Sequence, residues 1–242
     1  MELNKIHNED CIEGMKKLDK DSIDCIITSP PYFNFQREYQ RKGGRHYSQD
    51  YGEITFLIED MIQQASRVLK DKGLLFLNFG YSYSEGGVLR PFRIADRFSK
   101  FDFECIDIII WHKNNPIPIQ GRLTNAFEYI FVFSKSNKWK YNMPKKYIQN
   151  VWKFPVVMQN QHNKEYNYAH GAMFPIKLPE KCIEIGTKEG DIVLDPFMGS
   201  GTTAVSCKKL NRKFIGFDIN KDYVDSANKR LNQEVLKTSH NK

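Results

Sequence analysis

Short apolar runs alternate along this chain with segments whose apolar residues have helical spacing. The runs typical of buried strands are Asp24–Thr28, Leu74–Phe79, Cys105–Trp111, Tyr129–Phe133, Ile192–Leu194 and Phe214–Asp218. Helical spacing is found after Asp10-Cys11 (Ile12, Met15, Leu18), over Ile54–Lys70, over Pro91–Ser99 and from Thr202 to Leu210. Strands that alternate with helices predict an α/β fold, in which a largely parallel sheet carries helices on both faces.

Composition narrows the class of protein. The chain has 242 residues, of which 40% are hydrophobic and 13% aromatic, which fits one large globular domain or one domain with a sizeable insertion. Its five cysteines are scattered without a C-x-x-C pair, which argues against a zinc knuckle or a disulfide framework and favours reduced thiols in a cytoplasm. We expect neither a signal peptide nor a membrane span, because the N-terminus and the rest of the chain lack a long enough apolar run.

The stretch Asp191–Thr203, D-I-V-L-D-P-F-M-G-S-G-T-T, carries the strongest signal for a small ligand. Asp195 follows a short strand, Gly199-Ser200-Gly201 permits close approach to the backbone, and Thr202 begins a helix whose free N–H groups point back at the turn. Ten residues separate Thr203 from a second strand, Phe214–Asp218, which also ends in an acid. This order of strand, glycine turn, helix, strand and acid is typical of a nucleotide-type site, where the second acid accepts from a ribose diol. A purely structural corner has the same local pattern.

A second candidate site is Ser29-Pro30-Pro31-Tyr32, which directly follows the strand Asp24–Thr28. Two prolines impose a rigid, extended bend there. The Ser29 hydroxyl and the Pro30 carbonyl can accept from an amine, and the Tyr32 ring can stack on a flat group that bears this amine. The alternative is a strand that prolines merely terminate.

The positive charge is concentrated in one segment. The net charge is +7, and between Ser134 and Ala169 seven lysines oppose one glutamate, a local net charge of +6. Seven aromatic residues are interleaved with these lysines: Trp139, Tyr141, Tyr147, Trp152, Phe154, Tyr166 and Tyr168. Basic groups for phosphates and aromatic faces for bases indicate a nucleic-acid interface, although a solvated insertion would have the same composition.

The motif at Thr28–Tyr32, followed much later by Asp195–Thr203, resembles the amino-methylating DNA methyltransferases that use S-adenosylmethionine. The order of catalytic motif, target-recognition region and cofactor motif is similar to that of their β group. The resemblance covers most of the chain. It implies a Rossmann-like seven-stranded methyltransferase sheet whose last strand is antiparallel, circularly permuted so that the first two strands come last. Residues 1–133 would be the catalytic part, 134–169 a target-recognition insertion and 170–242 the cofactor-binding part.

The resemblance also implies roles for individual residues. The catalytic residues would be Ser29, Pro30, Pro31 and Tyr32. The cofactor-binding residues would be Asp10, Cys11, His170, Phe174, Asp195, Pro196, Phe197, Gly199, Ser200, Gly201, Thr202, Thr203 and Asp218. Asn125 and Glu128 also resemble family positions, without an assigned role.

Contacts to DNA are expected from residues 33–52, from residues 113–118 and from the insertion 134–169. The polar stretch Phe33–Gly52 is interpreted as a loop over the site, and Lys113–Pro118 as a rigid loop near the flipped base. The DNA-binding candidates are Arg37, Arg41, Lys42, Arg45, Lys113, Lys138, Lys140, Lys145, Lys146 and Lys153.

The expected reaction moves a methyl group from S-adenosylmethionine to the exocyclic amine of a base flipped out of double-stranded DNA. Ser29 stands where this family often has Asp; Ser usually accompanies cytosine, so N4-methylcytosine is the expected product and N6-methyladenine the alternative. No Pro-Cys nucleophile for carbon methylation is present, and no metal site is implied. A cognate restriction endonuclease is a candidate partner, the expected state is monomer or homodimer, and the expected location is a bacterial-type cytoplasm at the nucleoid.

Three other functions fit parts of the pattern. A protein-glutamine methyltransferase shares a P-P-Y platform but needs no basic aromatic insertion and normally has its cofactor motif first. An RNA methyltransferase is compatible with the insertion, and a comparison of duplex DNA with RNA binding would separate the two. A non-catalytic DNA-binding subunit would retain the fold, but both motifs are intact here.

Overall fold

The computed structural model describes residues 1–30, 51–81, 83, 87–143, 147–156 and 174–239, with the backbone alone described for 51–57 and 234–239. Its strands are β1 (Lys5–Asn8), β2 (Ile23–Thr28), β3 (Leu69–Phe79), β4 (Glu104–Lys113), β5 (Phe127–Ser134), β6 (Val151–Phe154), β7 (Ile192–Asp195) and β8 (Lys213–Asp218). Its helices are α1 (Cys11–Lys16), α2 (Tyr51–Val68), α3 (Arg90–Arg97), α4 (Lys177–Gly186), α5 (Thr202–Lys209) and α6 (Lys221–Ser239), with a 3-10 helix at Phe98–Phe101.

The described strands form one sheet in the order β1-β8-β7-β2-β3-β5-β4-β6. Neighbours from β1 to β3 are parallel, and β5 is antiparallel to both β3 and β4. The two strands that flank the glycine turn, β7 and β8, come last in the chain but lie between β1 and β2. The permuted α/β sheet predicted from the sequence is therefore confirmed, with β6 as an additional eighth strand.

Helices cover both faces of this sheet. On one face α4, α5 and α6 pack over residues such as Phe76, Ile130 and Val193. On the other face α1, α2 and α3 pack over residues such as Leu75 and Phe131. Alternate residues of β3 and β5 thus enter opposite cores, as the two-residue period of a strand requires. None of the described helices is long and apolar enough to cross a membrane.

The helix predicted to reach Lys70 ends at Val68, and β3 begins at once with Leu69. The pairing with β2 then shifts, from Ile23 opposite Leu69 to Cys25 opposite Leu74, so β3 contains three extra residues. Gly73 makes this irregular start possible, because a Cβ there would lie 2.9 Å from the Asp24 carbonyl oxygen.

The basic aromatic insertion contributes to the sheet instead of forming a separate body. Within it, β6 pairs in parallel with β4, and the Trp111 Nε1–H donates to the Phe154 carbonyl at 3.0 Å. Trp152 is 2% exposed, and Trp139 and Tyr141 pack against the same core. The prediction that these rings offer faces to bases is therefore wrong for Trp152, which is a core residue, and the partly buried Trp139 and Tyr141 also serve packing.

The described part of the insertion, residues 134–143 and 147–156, runs from the amino ends of the parallel strands (the amino edge) to their carboxyl ends (the carboxyl edge). Because β5 is antiparallel to β3, Ser134 emerges near the amino ends of the parallel strands, where Lys135 pairs with Asp21 at 3.1 Å and Lys138 with Asp71 at 3.7 Å. Because β6 is parallel to β4, Lys153 and Phe154 lie near the carboxyl ends. The two edges are ~17 Å apart along the five residue steps from Leu74 to Phe79.

Candidate cofactor and catalytic site

A tight turn follows β7 and is organised by the Asp195 carboxylate. Asp195 Oδ1 accepts from the Phe197 N–H at 3.0 Å, and Oδ2 accepts from the Thr203 hydroxyl at 2.6 Å. One buried side chain therefore ties the start of the turn to the first residues of α5. The Gly201 N–H closes the turn on the Met198 carbonyl at 3.0 Å.

Both glycines of the turn have left-handed backbone angles. The φ angle is 51° at Gly199 and 75° at Gly201, a region that residues with a Cβ rarely adopt. A Cβ at Gly201 would also lie 2.8 Å from the Cβ of Ala227 on α6. The turn is further held by Arg230, 6% exposed, which donates to the Ser200 carbonyl at 3.2 Å and to Thr202 Oγ1 at 2.9 Å.

Asp218, the last residue of β8, links this turn to the neighbouring strand. Its Oδ2 accepts from the Gly199 N–H at 2.9 Å and its Oδ1 accepts from the Asn220 N–H at 2.8 Å. The Asn8 amide at the end of β1 donates to the Asp218 and Ile219 carbonyls, each at 3.0 Å. The carboxylate therefore lies beside the glycine turn, at the carboxyl ends of three adjacent parallel strands.

Burial has a large effect on Asp195. It raises the pKa of this carboxyl from 3.8 to about 6, although the hydrogen bonds from Thr203 and Phe197 lower the pKa. The neighbouring negative charge of Asp218 also raises the pKa of Asp195. Near neutral pH the turn therefore contains an ionised carboxyl whose charge is disfavoured by burial.

Ser29 and Pro30 directly follow β2, which pairs with β7 on one side and β3 on the other. In this register Ile27 lies beside Asp195, so Ser29 begins two residues beyond it and about one strand spacing, ~5 Å, to the side. Ser29 is half-buried and Pro30 is buried. The two predicted sites, far apart in sequence, thus share one edge of the sheet.

The remaining predicted cofactor residues have varied surroundings. Asp10 caps α1, and its Oδ1 accepts from the N–H groups of Ile12 at 2.9 Å and Glu13 at 3.3 Å. Cys11 and Pro196 are buried. Phe197 packs partly buried against the core beneath α1 and α2, and Phe174 against the core beneath α4 to α6.

Several predicted residues lie outside the described part of the chain. They are Pro31, Tyr32, Arg37, Arg41, Lys42, Arg45, Lys145, Lys146 and His170. Their predicted roles remain predictions.

The described lysines predicted to bind DNA differ sharply in position. Lys113 forms an ion pair with Glu128 at 2.9 Å, and the two side chains are only 13% and 12% exposed. This pairing makes Lys113 part of the protein interior instead of an exposed phosphate contact. Lys138 pairs with Asp71 at the edge opposite the site, so it does not share an edge with Ser29. Lys140 is exposed, and its role in DNA binding stays a prediction. Lys153 is exposed and lies near the carboxyl end of β6.

The partner of Lys113 belongs to a network whose role the sequence did not indicate. Glu128 Oε2 also accepts from the Asn78 amide at 3.1 Å, and that amide donates in addition to the Tyr129 carbonyl at 3.2 Å. Asn78 is 3% exposed and is the second-last residue of β3. The network joins β3, β4 and β5 beside the catalytic edge. Two signals were available in the sequence: the polar Asn78 within an apolar strand, and the resemblance of Glu128 to a family position.

The sheet order, the glycine turn and the acid at the end of the next strand are those of a Rossmann-like methyltransferase fold. Residues 23–229 match the family model described as DNA methylase, of the N6 and N4 type. The chain therefore belongs to the DNA methyltransferases that methylate amino groups, and S-adenosylmethionine is its cofactor.

Two relatives illustrate this membership. The chain is 30% identical to the Type II methyltransferase M.SmaI of Serratia marcescens, over 94% of this chain and 90% of that protein. It is 32% identical to the Type II methyltransferase M.HinfI of Haemophilus influenzae, over 96% of this chain and 69% of that protein.

Solved structures have the same fold. PvuII DNA methyltransferase (cytosine-N4-specific) superposes with a TM-score of 0.77 at 24% identity, covering 93% of this chain and 85% of its own. The complex of M1.HpyAVI with SAM has a TM-score of 0.66 at 29% identity, covering 94% of this chain and 98% of its own.

The raised pKa of Asp195 predicts a pH-dependent stability. A carboxyl whose pKa is higher in the folded than in the unfolded protein contributes stability that is fully present below pH 3.8 and is lost as the pH rises through 6. Asn at this position cannot ionise, but its amide can accept from Phe197 and donate to Thr203. We expect Asp195→Asn to raise the free energy of unfolding at pH 8 by up to about 3 kcal/mol, which is the shift of about two pKa units, and to leave it unchanged below pH 4.

Urea unfolding of the cofactor-free protein between pH 4 and 8 measures this difference. Asp222→Asn, at an exposed position on α6, is the control and should follow the wild type throughout. Parallel pH profiles for Asp195→Asn and the wild type would contradict the assigned effect of burial.

Proposed function

We propose that this protein is a site-specific DNA methyltransferase that moves a methyl group from S-adenosylmethionine to N4 of a cytosine flipped out of the duplex. The observation that carries this proposal is the position of Ser29 and Pro30, at the end of β2 and on the same edge as the glycine turn and Asp218. Adjacent parallel strands thus bring an acceptor pair for an amine close to a site suited to a nucleoside cofactor.

The residues present fit S-adenosylmethionine. The left-handed backbone at Gly199 brings the turn beside Asp218, whose carboxylate is a suitable acceptor for the two ribose hydroxyls. The negative charges of Asp195 and Asp218 also favour a cofactor that carries a sulfonium. When bound, the cofactor supplies a methyl group that this sulfonium already activates.

The protein's task is then to prepare the amine and hold it in place. An exocyclic base amine is a poor nucleophile, because its lone pair is delocalised into the ring. Hydrogen bonds from its two hydrogens to the Ser29 hydroxyl and the Pro30 carbonyl favour a pyramidal nitrogen, whose lone pair is available. Holding the nitrogen in one orientation also removes much of the entropic cost of the transfer.

The choice of cytosine rests on Ser29. Ser can accept one amine hydrogen without adding a charge, whereas the Asp that often occupies this position adds a negative charge beside the sulfonium. The more basic ring of cytosine tolerates the more neutral site. The same two acceptors could also hold the N6 amine of adenine, so the product base has to be measured.

The proposed DNA-facing surface is the carboxyl edge of the sheet, with Lys153 as a phosphate contact. The expected substrate is duplex DNA, and a cognate restriction endonuclease is a proposed partner, since M.SmaI and M.HinfI are both named Type II methyltransferases.

The assignment of Asp218 to the ribose predicts a specific change in cofactor binding. Asp218→Ala removes the acceptor and also the partner of the Gly199 N–H, so we expect S-adenosylmethionine to bind at least about tenfold more weakly, equivalent to ~1.4 kcal/mol. Calorimetric titration measures this, with Asp222→Ala as the exposed control. A 2′-deoxy analogue of the cofactor separates the two effects: the wild type should prefer the natural ribose, and the variant should bind both equally. If Asp218→Ala still prefers the natural ribose, then Asp218 does not bind the ribose diol in the wild type.

The positions of the lysines predict different effects on DNA binding. Lys153→Ala should weaken binding to all sequences and reduce the slope of log affinity against log salt by about one unit, as expected for a lost phosphate contact. Lys138→Ala is the matched control from the same insertion, because this exposed lysine pairs with Asp71 at the opposite edge; its salt slope should equal that of the wild type. Fluorescence anisotropy at several salt concentrations makes the measurement. Equal slopes for all three proteins, or a change in Lys138→Ala alone, would contradict this surface.

The product base decides the proposed function. DNA incubated with the protein and S-adenosylmethionine should contain N4-methylcytosine when its nucleosides are analysed by mass spectrometry. Ser29→Ala removes one acceptor for the amine and should lower kcat by roughly 10²-fold, with little change in cofactor affinity. Detection of N6-methyladenine without N4-methylcytosine would overturn the assignment to cytosine and leave the amino-methylating class intact.

A further inference from the structure

The loop of residues 114–126 joins β4 to β5 at the catalytic edge. β4 and β3 both run antiparallel to β5, so the carboxyl end of β4 lies at the same edge as Ser29 at the end of β2. The loop is therefore on the side of the molecule from which a base must enter.

The backbone of this loop is anchored at several points. The Lys113 N–H donates to the Ala126 carbonyl at 2.7 Å, which closes the base of the loop. The Val156 N–H donates to Asn115 Oδ1 at 2.7 Å, and the Asn125 amide donates to the Tyr81 carbonyl at 2.8 Å. The loop is thus tied to the segment after β6 on one side and to the end of β3 on the other.

Leu123 stands out within this anchored loop. Its carbonyl accepts from the Tyr83 hydroxyl at 2.6 Å, and the guanidinium of the preceding Arg122 lies 5.0 Å above the Tyr83 ring. Its side chain is nevertheless 84% exposed, and Ile117 on the same loop is 72% exposed. A large aliphatic side chain is therefore presented to solvent on a backbone that hydrogen bonds hold in place.

The charge of the loop fits a nucleic-acid partner. Residues 114–126 include Arg122 and no acidic residue. An apolar tip beside a cation, on a loop without negative charge, is suited to entering a DNA groove between phosphates.

We infer that Leu123 is a wedge that enters the duplex beside the target base and fills the space that the flipped base leaves. This inference rests on the proposed transfer to a flipped base, since the amine cannot reach Ser29 from within a stacked duplex. Apolar side chains inserted between base steps replace lost stacking contacts and hold the open duplex. Leu123 is thus a positioning residue for the base and makes no contact with the transferred methyl group.

The test compares substrates that differ in the cost of flipping. Wild-type protein first methylates plasmid DNA, and sequencing identifies the modified site. Two short duplexes then carry that site, one with the target base fully paired and one with an abasic position opposite it, where flipping is easier. We expect Leu123→Ala to lower kcat/KM at least tenfold on the paired duplex and to remain within twofold of the wild type on the duplex with the abasic position.

Three controls isolate the wedge. Leu123→Met keeps an apolar side chain of similar length and should retain activity on both duplexes. Val151→Ala shortens an aliphatic side chain that is 46% exposed at the start of β6, opposite Ile110 and outside the loop of residues 114–126, and should have no effect. The melting temperature of Leu123→Ala should match that of the wild type, because the removed atoms are exposed.

The outcomes separate this inference from the proposed function. A Leu123→Ala variant as active as the wild type on the paired duplex, or equally impaired on both duplexes, overturns the wedge. Failure of the wild type to methylate any DNA overturns the proposed function, and the wedge with it. Methylation of adenine instead of cytosine changes only the identity of the flipped base, and the comparison of the two duplexes remains decisive.

Discussion

The pairing of β7 with β2 is the constraint on which the rest of the structure depends. Cys25 and Ile26 pair with Val193 and Leu194, residues that are separated from them by most of the chain. β7 and β8 insert between β1 and β2, so the sheet is continuous only when the two ends of the sequence fold together. Bringing the two ends of the chain together costs loop-closure entropy, and the burial of both faces of these strands offsets that cost. Once the strands are paired in parallel, their carboxyl ends must meet at one edge, and the two motifs meet with them.

The glycine turn at this edge has an unusual backbone and a buried carboxyl, and several hydrogen bonds hold it in place. Its glycines adopt angles that other residues avoid, and its central carboxyl, Asp195, is fully buried with a raised pKa. Hydrogen bonds from Thr203, Phe197 and the buried Arg230 hold a conformation that would otherwise be unfavourable. At Gly201 a side chain would collide with Ala227, so this glycine lets the turn pack closely on α6.

The amino edge and the carboxyl edge of the sheet differ in the residues that cover them. At the amino edge, Lys135 and Lys138 pair with acids before β2 and in β3, and Trp139 and Tyr141 cover the core. The loop of residues 114–126, the end of β6 and the glycine turn lie at the carboxyl edge. The first part of the insertion therefore stabilises the sheet, and β6 ends at the carboxyl edge.

From the sequence alone, the order of strands and helices, the glycine turn, the acid at Asp218 and the S-P-P-Y motif could all be recognised. These features are local, and each depends on the backbone preferences or apolar spacing of a few neighbouring residues. Trp152 of the insertion and Lys113 of β4 were misinterpreted, because burial depends on partners far away in the sequence. Trp152 is buried because β6 pairs with β4. Lys113 forms an ion pair in the interior because Glu128 lies on the adjacent strand. The sequence could not show which lysines share an edge with Ser29 or that Leu123 is presented there, since strand direction and register determine both.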